Sequence, residues 1–321
     1  MNMKKLVTSA FAIYFILMSA NARESGDSLL VMFWNLENFF DYIDQGTGES
    51  DREFSSAGIR HWTKRRFYAK CDAVAKSIFW IGDRYGRLPD IIGLAEIENK
   101  GVLTRMLNST LLRKTDYRIV HADSPDRRGI DVAILYRQSS MTLHDTSLKV
   151  PEQEGEKLAT RHILHAAMRL SNGREIDFIV NHHPSKFGGE ASSSGKRMAA
   201  MTALKHLCDS LDSDTVSAMG DFNDTPDSGP FSIISSTLVN KGTPLHVKGE
   251  GSIRYEGKWD LIDMFLVSPT LERSTEMEVC RIPFLMTWEK KHPGMKPLRT
   301  YSGPRHIGGV SDHCPILLHV F

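Results

Sequence analysis

A short apolar run that stops abruptly at polar residues recurs along the chain. Runs of this kind predict buried strands at residues 28–34, 89–95, 118–121, 130–137, 141–151, 161–170, 174–180, 216–219, 258–267 and 316–320. Helices are predicted between them at residues 63–83, 101–110 and 196–211. The chain shows no internal repeat and no linker-like break. Strands that alternate with helices and hairpins predict a single domain of the α/β or α+β class.

The predicted helix at residues 63–83 carries Phe67, Val74, Ile78 and Ile81 on one side, with Thr63 as its N-cap. Its basic residues are predicted to form a solvated face: Lys64, Arg65, Arg66 and Lys70. Two long segments, residues 39–62 and 287–309, have no clear hydrophobic period and are rich in turn-forming or charged residues. Both are predicted to be loops.

Polar side chains follow five of the apolar runs, at the carboxyl ends where ligands bind in open α/β sheets. The pairs are Asn35 with Glu37, Glu96 with Glu98, Asn181 with His182, Asp221 with Asn223, and Asp312 with His313. One such end is an ordinary turn, whereas five in one chain favour a shared site. Oxygen-rich donors of this kind suit Mg²⁺, Mn²⁺ or Ca²⁺ better than zinc, which prefers His and Cys.

The stretch at residues 215–226 is the centre of this pattern. Asp221 and Asn223 lie two residues apart, so an extended backbone would point both toward one centre. Gly220 lets the backbone turn or approach a ligand closely. On this stretch alone, an Asp/Asn turn that ends a strand is the more common structure. The other polar strand ends favour the functional interpretation.

Residues 1–22 have the composition of a secretory signal peptide. Lys4 and Lys5 form its positive region, residues 6–18 are apolar, and Ala22 ends a small-x-small cleavage pattern. The apolar run is short for a membrane span, and an uncleaved anchor is the alternative. We therefore expect export to a periplasm or the exterior, a mature domain at residues 23–321, and no stable membrane insertion once the leader is removed.

Composition adds two constraints. The chain has 40 Lys and Arg against 39 Asp and Glu, and loss of the leader with its two lysines makes the net charge −1. Proteins that bind long nucleic acid non-specifically usually carry a basic excess, so any basic surface here must be local. The cysteines lack metal-ligand spacing and, in an oxidising compartment, allow one or two disulfides of undefined pairing: Cys71, Cys208, Cys280 and Cys314.

Seven short motifs occur in order along the chain: Trp34-Asn35-Leu36-Glu37-Asn38, Leu94-Ala95-Glu96-Ile97-Glu98, Arg128-Gly129-Ile130-Asp131, Asn181-His182, Gly220-Asp221-Phe222-Asn223, Ile262-Asp263 and Ser311-Asp312-His313. The ordered set resembles the endonuclease/exonuclease/phosphatase family, which includes deoxyribonuclease I, exonuclease III, neutral sphingomyelinases and inositol polyphosphate 5-phosphatases. The resemblance runs from about residue 29 to residue 321. It implies a four-layer sandwich, in which two packed mixed β-sheets are flanked by helices and the site lies where the sheet ends meet.

The resemblance also implies a metal site. Glu96 is the first choice as ligand, with Asn35 beside it and Asp312 as a further oxygen donor. The expected cofactor is Mg²⁺ or Mn²⁺, with Ca²⁺ also compatible with these donors. A divalent ion at this place polarises a phosphoryl oxygen and stabilises charge on the leaving oxygen.

Catalytic roles follow from the same resemblance. His313 is expected to be the general base that activates water, with Asp263 fixing its tautomer. His182 matches a second histidine that binds the phosphate or acts as an acid, and Asp131 matches its carboxylate partner. Two residues are expected to position the water and the scissile phosphate: Asp221 and Asn223. The reaction is an in-line attack of water on a phosphoester.

Three more residues are expected to contact the substrate phosphate: Arg128, Lys186 and Asn181. A solvated role is the alternative for Arg128 and Lys186, and a turn at a strand end is the alternative for Asp131 and Asp263. Trp62 and Trp259 are interpreted as core residues in preference to stacking platforms for a base.

We expect an exported, divalent-metal-dependent phosphodiesterase, with a nuclease favoured. Its substrate would be nucleic acid or a small phosphodiester, and no protein partner is implied. The alternatives are a phosphatase or a lipid or sugar phosphodiesterase on the same fold, and a non-catalytic binding protein. The loops at residues 39–62 and 287–309 should rim the site. They are mostly polar, whereas a lipid enzyme would need exposed apolar residues there.

Overall fold

Twelve strands form two six-stranded mixed sheets in the computed structural model, which describes residues 28–186 and 189–321. The strands are β1 (Leu29–Phe39), β2 (Ile91–Ile97), β3 (Tyr117–His121), β4 (Asp131–Arg137), β5 (Met141–Lys149), β6 (Ile163–Leu170), β7 (Glu175–His182), β8 (Val216–Asp221), β9 (Val239–Asn240), β10 (Asp263–Val267), β11 (Thr275–Val279) and β12 (Ile316–Val320). The first sheet has the order β11-β12-β1-β2-β4-β3, and the second has the order β9-β10-β8-β7-β6-β5. The predicted leader lies outside the described residues.

Three long helices cover the sheets: α1 (Lys64–Tyr85), α2 (Lys100–Ser109) and α3 (Glu190–Ser210). Short helices lie at Glu49–Glu53, Phe231–Ile234 and Thr243–Val247, with 3-10 turns at Leu111–Lys114, Pro269–Ser274 and Pro283–Leu285. Two-stranded hairpins pair Glu152–Gln153 with Glu156–Lys157, Ile253–Tyr255 with Lys258–Asp260, Met286–Glu289 with Gly294–Pro297, and Tyr301–Ser302 with Arg305–His306. No helix among the described residues is long and apolar enough to cross a membrane.

The strands of the first sheet are apolar on both faces because each face packs against another layer. In β1, Val31 and Phe33 join the apolar cluster shared with the second sheet, while Met32 joins the cluster shared with α1 and α2. The two sheets pack tightly at Gly93, where a Cβ atom would lie 2.7 Å from the sulfur of Met219. The predicted four-layer sandwich is confirmed.

A parallel strand pair joined by a helix occupies the middle of each sheet. The units are β1-α1-β2 and β7-α3-β8, with Asn35 opposite Ala95 in one pair and Asp221 opposite His182 in the other. Parallel strands end at the same edge of a sheet, so the polar residues that follow each pair lie together. A hydrogen bond of 3.0 Å from Asn35 Nδ2 to Asp221 Oδ2 joins the two edges.

Helix α1 confirms one prediction and corrects another. The Thr63 hydroxyl accepts a hydrogen bond from the Arg66 amide, as an N-cap does. Lys70, predicted on a solvated face, is instead buried.

Trp62 is a core residue, as predicted. All four cysteines are buried with free thiols, so the disulfides that the sequence allowed are not formed.

Candidate active site

The strands that supply the site end in strained backbone. Four residues there that are not glycine have positive φ angles: Glu37 (47°), Asn38 (53°), Glu96 (60°) and Asn223 (52°). The register of β1 against β2 shifts between Asn35 and Phe39, and that of β2 against β4 shifts between Ala95 and Ile97. Such bulges re-aim side chains at the rims of sheets. Left-handed backbone at residues other than glycine is uncommon and clusters at functional sites.

A cavity of about 190 Å³ opens where the two sheet edges meet. It brings together most of the residues predicted from the sequence: Asn35, Glu96, Arg128, His182, Asp221, Asn223, Asp312 and His313. Its wall also contains residues that were not among the predicted site residues: Glu37, Asn38, Ser185 and Arg299. The sequence pattern suggested that Asp312 and His313 follow a strand. Instead, they lie in the segment that precedes β12.

One wall of the cavity is rich in oxygen donors. The Glu96 carboxylate accepts a hydrogen bond from the Asn38 amide at 2.7 Å and lies 3.2 Å from Arg128 Nη2. Burial opposes the charge on Glu96, but Arg128 and the Asn38 amide outweigh it and lower the pKa of the carboxyl group. Asp312 lies 3.0 Å from Arg299.

This donor set fits a divalent ion. Glu96 and Asp312 supply carboxylate oxygens, and the Glu37 amide fixes the Asn35 side-chain oxygen at 2.9 Å. Hard oxygen ligands of this kind suit Mg²⁺ and Mn²⁺. Two further groups bring ligand atoms within 4.8 Å of one another, and either could hold an ion: Asp221 with Asp263 and His313, and His121 with Asp123 and Asp131.

His313 is held by a buried carboxylate. Its Nδ1 lies 2.7 Å from Asp263 Oδ2, and its Nε2 lies 3.8 Å from Asp221 Oδ2. The Ser311 hydroxyl and the Trp34 indole fix its backbone through hydrogen bonds of 2.9 Å each. Burial disfavours the imidazolium, but the Asp263, Asp221 and Asp312 carboxylates prevail and hold the pKa of His313 well above its usual value.

Asp221 lies between two histidines. Its Oδ2 lies 3.6 Å from His182 Nε2, and its Oδ1 accepts the Asn223 amide at 2.9 Å. Burial and the neighbouring Asp263 raise the pKa of Asp221 to about 7. Burial and the nearby Arg161 hold the pKa of His182 well below its usual value. The cavity thus contains a carboxyl group that titrates near neutrality beside a neutral imidazole.

Three predicted site residues lie elsewhere. Asp131 does not pair with His182: its carboxylate lies 3.2 Å from His121 Nε2 and accepts the Ser124 amide at 2.9 Å. The reason is topological, because Asp131 begins β4 and β3 is its neighbour. Lys186 lies 3.1 Å from Asp224, outside the cavity wall. Asn181 is fully buried in the second sheet and bonds Met219 O.

The backbone at residues 220–223 is not extended throughout, contrary to the expectation from the sequence. Asn223 is left-handed, so it and Asp221 are not two positions of one extended strand. They share the cavity through an Asx-type turn, in which Asp221 accepts the Asn223 amide. Gly220 serves the close approach of β7, since a Cβ atom there would lie 2.4 Å from Asn181 O.

A buried network below the cavity went unrecognised in the sequence. Lys70 Nζ donates to Glu37 O at 2.6 Å and to Thr300 Oγ1 at 2.9 Å. Arg299 and the Thr300 amide donate to the Glu37 carboxylate at 2.9 Å each. Burial raises the pKa of Glu37 to about 7 and lowers the pKa of Lys70 to about 8. Lys70 shares the helical phase of Phe67 and Val74, but its charge led to its being grouped with the solvated basic residues, and Arg299 belongs to no motif.

Comparison with known proteins places this site in context. The sequence profile described as the Endonuclease/Exonuclease/phosphatase family matches residues 30–321. No curated protein sequence matches the chain significantly.

Several solved structures share this fold. The human Nocturnin catalytic domain has a TM-score of 0.56 at 14% identity, covering 91% of this chain and 93% of its own. A mannosyl-6-phosphatase from Bacteroides thetaiotaomicron has a TM-score of 0.56 at 16% identity, covering 91% and 100%. D. rerio TDP2, complexed with a single strand DNA product, has a TM-score of 0.55 at 13% identity, covering 91% and 98%.

At these identities the neighbours show the fold alone, whereas the profile match covers nearly the whole described chain. The motifs on which the resemblance rests converge on one cavity, apart from Asp131 and Asn181. The chain therefore belongs to the endonuclease/exonuclease/phosphatase family of phosphoester hydrolases.

Proposed function

We propose that the protein is an exported, divalent-metal-dependent phosphodiesterase whose first candidate substrate is nucleic acid. The observation that carries the proposal is the His313–Asp263 pair at 2.7 Å, whose free imidazole nitrogen faces the same cavity as Glu96, Asn35 and Asp312. A proton acceptor and an oxygen-rich metal site within one cavity are what hydrolysis of a phosphodiester requires. Export rests on the predicted leader at residues 1–22.

In this proposal, Glu96, Asn35 and Asp312 hold the ion, which when bound polarises the phosphoryl oxygen and stabilises the leaving oxygen. In its neutral form, His313 takes the proton of the attacking water at Nε2, and Asp263 keeps the proton of the imidazole on Nδ1. Because the surrounding carboxylates raise the pKa of His313, the imidazole must lose its own proton first, and activity should rise with pH. Asp221 Oδ2 lies 3.8 Å from that Nε2, so one water molecule beside them can form a hydrogen bond with both.

The remaining cavity residues orient the phosphate. His182 is neutral, so its imidazole can donate a hydrogen bond to a phosphoryl oxygen without adding charge. Asn223 is fixed by its own hydrogen bond to His183 O at 2.9 Å. Arg128 holds Glu96 and Asn38, with about a third of its side chain exposed toward the cavity. Positioning of this kind supplies much of the rate enhancement in phosphoryl transfer.

Hydrolysis by the purified mature chain, from Arg23 on, tests the proposal. Plasmid DNA, RNA, bis-p-nitrophenyl phosphate and p-nitrophenyl phosphate are offered with Mg²⁺, Mn²⁺ or EDTA. Metal-dependent cleavage of nucleic acid and of the diester is expected. Release from the monoester alone would replace the proposal with a phosphatase.

A specific surface feature favours lipid phosphodiesters as the second candidate substrate. Trp288 and Met295 are cross-strand neighbours on one hairpin, 60% and 45% exposed. Lys290 and Lys291 are exposed at its turn. The segment at residues 287–309, predicted to be an irregular loop, forms this hairpin and exposes two large apolar side chains among its polar residues. An exposed Trp beside lysines is typical of side chains that enter a membrane interface.

This hairpin stands on the catalytic side of the molecule. Arg254 joins it to the neighbouring hairpin through hydrogen bonds to His292 O and Pro293 O. That neighbouring hairpin starts at Ile253, which pairs with His313. Sedimentation with vesicles of anionic and of zwitterionic phospholipid, followed by assay of headgroup release, tests this candidate. Trp288→Ala should reduce vesicle binding, whereas equal binding by both chains would remove the lipid candidate.

A further inference from the structure

A second cavity, of about 240 Å³, opens beside the catalytic one. It shares Glu37, Asn38 and Arg299 with the catalytic cavity, so these three residues lie between the two cavities. Its outer wall is formed by three residues of the rim loops: Phe54, Arg60 and Tyr301. We call this space the flanking cavity.

The flanking cavity is a built structure, because the two rim loops are bonded to each other around it. Arg60 Nη1 donates to Gly303 O at 2.6 Å, and the Tyr301 hydroxyl donates to Arg60 O at 2.9 Å. Arg60 Nε also pairs with Glu53 at 2.6 Å. The guanidinium lies 5.4 Å from the Tyr301 ring centroid and 5.6 Å from that of Phe54. These contacts fix the direction of Arg60.

Two residues of the flanking cavity, Arg60 and Asn38, keep a hydrogen-bond donor that is not used elsewhere in the described part of the chain. Arg60 Nη2 and Asn38 Nδ2 make no hydrogen bond to any residue in the described part of the chain. Arg299 is about half exposed. The acidic wall residue, Glu37, already accepts hydrogen bonds on both carboxylate oxygens, from Arg299 and from the Thr300 amide. A guanidinium with free donors is suited to a phosphate or another planar or tetrahedral anion.

We propose that the flanking cavity binds a second phosphate of the substrate, next to the phosphate that is cleaved. The proposal rests on the phosphodiesterase function and narrows its substrate to a diester with another phosphate one nucleoside away. The volume of the cavity is below the roughly 300 Å³ at which pockets begin to hold drug-sized ligands. It is large enough for a phosphate with part of its sugar.

Three dinucleotides test the proposal: TpT, which has one phosphate, and pTpT and TpTp, which each have a second phosphate at one end. With Mg²⁺, one of the two longer substrates should have a KM about tenfold lower than that of TpT, since a hydrogen bond to a charged group contributes enough for that change. Arg60→Gln should bring the ratio of the two KM values close to one, and Arg60→Lys should restore part of it.

Arg169→Gln is the matched control. Arg169 also pairs through Nε with a glutamate, Glu175 at 2.9 Å, but lies outside both cavities. Its removal should leave the KM ratio unchanged. A similar loss of the ratio in this variant would mean that Arg60 acts only through the overall charge or stability of the chain, and would overturn the proposal.

Direct binding separates the flanking cavity from the catalytic function. Thymidine 3′,5′-bisphosphate and thymidine 5′-monophosphate are titrated calorimetrically into the wild-type chain and into Arg60→Gln. About tenfold tighter binding of the bisphosphate to wild type, lost in the variant, supports the proposal even if no dinucleotide is cleaved. Cleavage of all three dinucleotides at equal KM, with equal binding of both nucleotides, would overturn it and leave the phosphodiesterase function standing.

Discussion

Two buried His–Asp pairs lie at opposite ends of β8. His313 and Asp263 sit where β8 ends, since Asp263 is paired with Asp221. His165 and Asp177 sit where it begins, since Asp177 is paired with Val216. The bond lengths are alike, 2.7 Å for His313 and 2.5 Å for His165.

The two pairs differ in what surrounds the second imidazole nitrogen. His165 Nδ1 is bonded to the Ser147 hydroxyl at 3.0 Å, so both nitrogens of that ring are used. The second nitrogen of His313 faces Asp221 and Asp312 at 3.8 Å each, within a cavity that also holds Glu96. The groove beside His165 is far larger, about 960 Å³ against about 190 Å³. A free nitrogen and converging oxygen donors therefore mark a catalytic site better than the size of a cavity.

Replacing each histidine with glutamine should give the largest difference between the two pairs. His313→Gln should lower kcat by about 10²- to 10⁴-fold, the range for loss of a general base, and should also lower the melting temperature, because Asp263 loses its partner. His165→Gln should keep kcat within about twofold and lower the melting temperature, because Asp177 loses its buried partner. Equal kcat losses in the two variants would show that the free nitrogen of His313 is not what matters.

The oxygen donors provide the second contrast. Glu96→Gln should weaken Mn²⁺ binding, followed by electron paramagnetic resonance, by at least about tenfold, since a charged ligand is lost. Asp145→Asn, which removes an exposed carboxylate from the large groove, should leave Mn²⁺ affinity unchanged. Weaker Mn²⁺ binding in Asp145→Asn alone would move the metal site to the other end of the sandwich.

A smaller effect is expected in the pH dependence of folding stability at the His165–Asp177 pair. Although burial opposes its charge, hydrogen bonds from His165 and Ser213 lower the pKa of Asp177. A carboxyl group whose pKa is lowered by folding stabilises the folded state at pH values above its unfolded-state pKa. This stabilisation is lost as the pH falls through the folded-state pKa. Asp177→Asn should cost about 1–3 kcal/mol at pH 7. Urea unfolding should show this difference shrinking below about pH 4, and a gap that persists at low pH would contradict the ion-pair explanation.

His183 provides the smallest contrast, since it has no acid partner. Neither ring nitrogen makes a hydrogen bond within the described chain, and burial together with Arg161 lowers the pKa to about 3. Below about pH 6.5 the unfolded chain binds a proton at this residue and the folded chain does not. The free energy of unfolding therefore decreases as the pH is lowered, by up to about 1.4 kcal/mol per pH unit. His183→Phe should be close to neutral at pH 7.5 and stabilising at pH 5, as measured by urea unfolding.

Much of the site was predictable because its residues follow apolar runs whose burial is visible in the sequence. Two neighbouring runs with polar ends place Asn35 and Glu96 at one edge, and a parallel pair does the same for His182 and Asp221. Short strands were less visible: β11 is Thr-Glu-Met-Glu-Val, with acidic residues at alternate positions, and was not predicted.

The unpredicted part depends on long-range packing. Arg299 lies far along the chain from Glu37, and their contact exists only because the last rim loop folds back over β1. Lys70 has the same helical phase as core residues, and its hydrogen bonds to Glu37 O and Thr300 Oγ1 explain why a lysine is tolerated there. Likewise, the partner of Asp131 is set by the order of β3 and β4, which no local pattern encodes.

The left-handed residues at the strand ends should determine the temperature at which the enzyme loses activity. Glu37, Asn38, Glu96 and Asn223 each hold a backbone conformation that costs on the order of 1 kcal/mol for residues other than glycine. The surrounding packing and hydrogen bonds hold them there, so we expect the catalytic edge to lose its geometry before the sheets unfold. Activity should therefore be lost several degrees before the sheets melt, as residual activity compared with circular dichroism would show. Stabilising the core alone would not extend the working temperature of the enzyme.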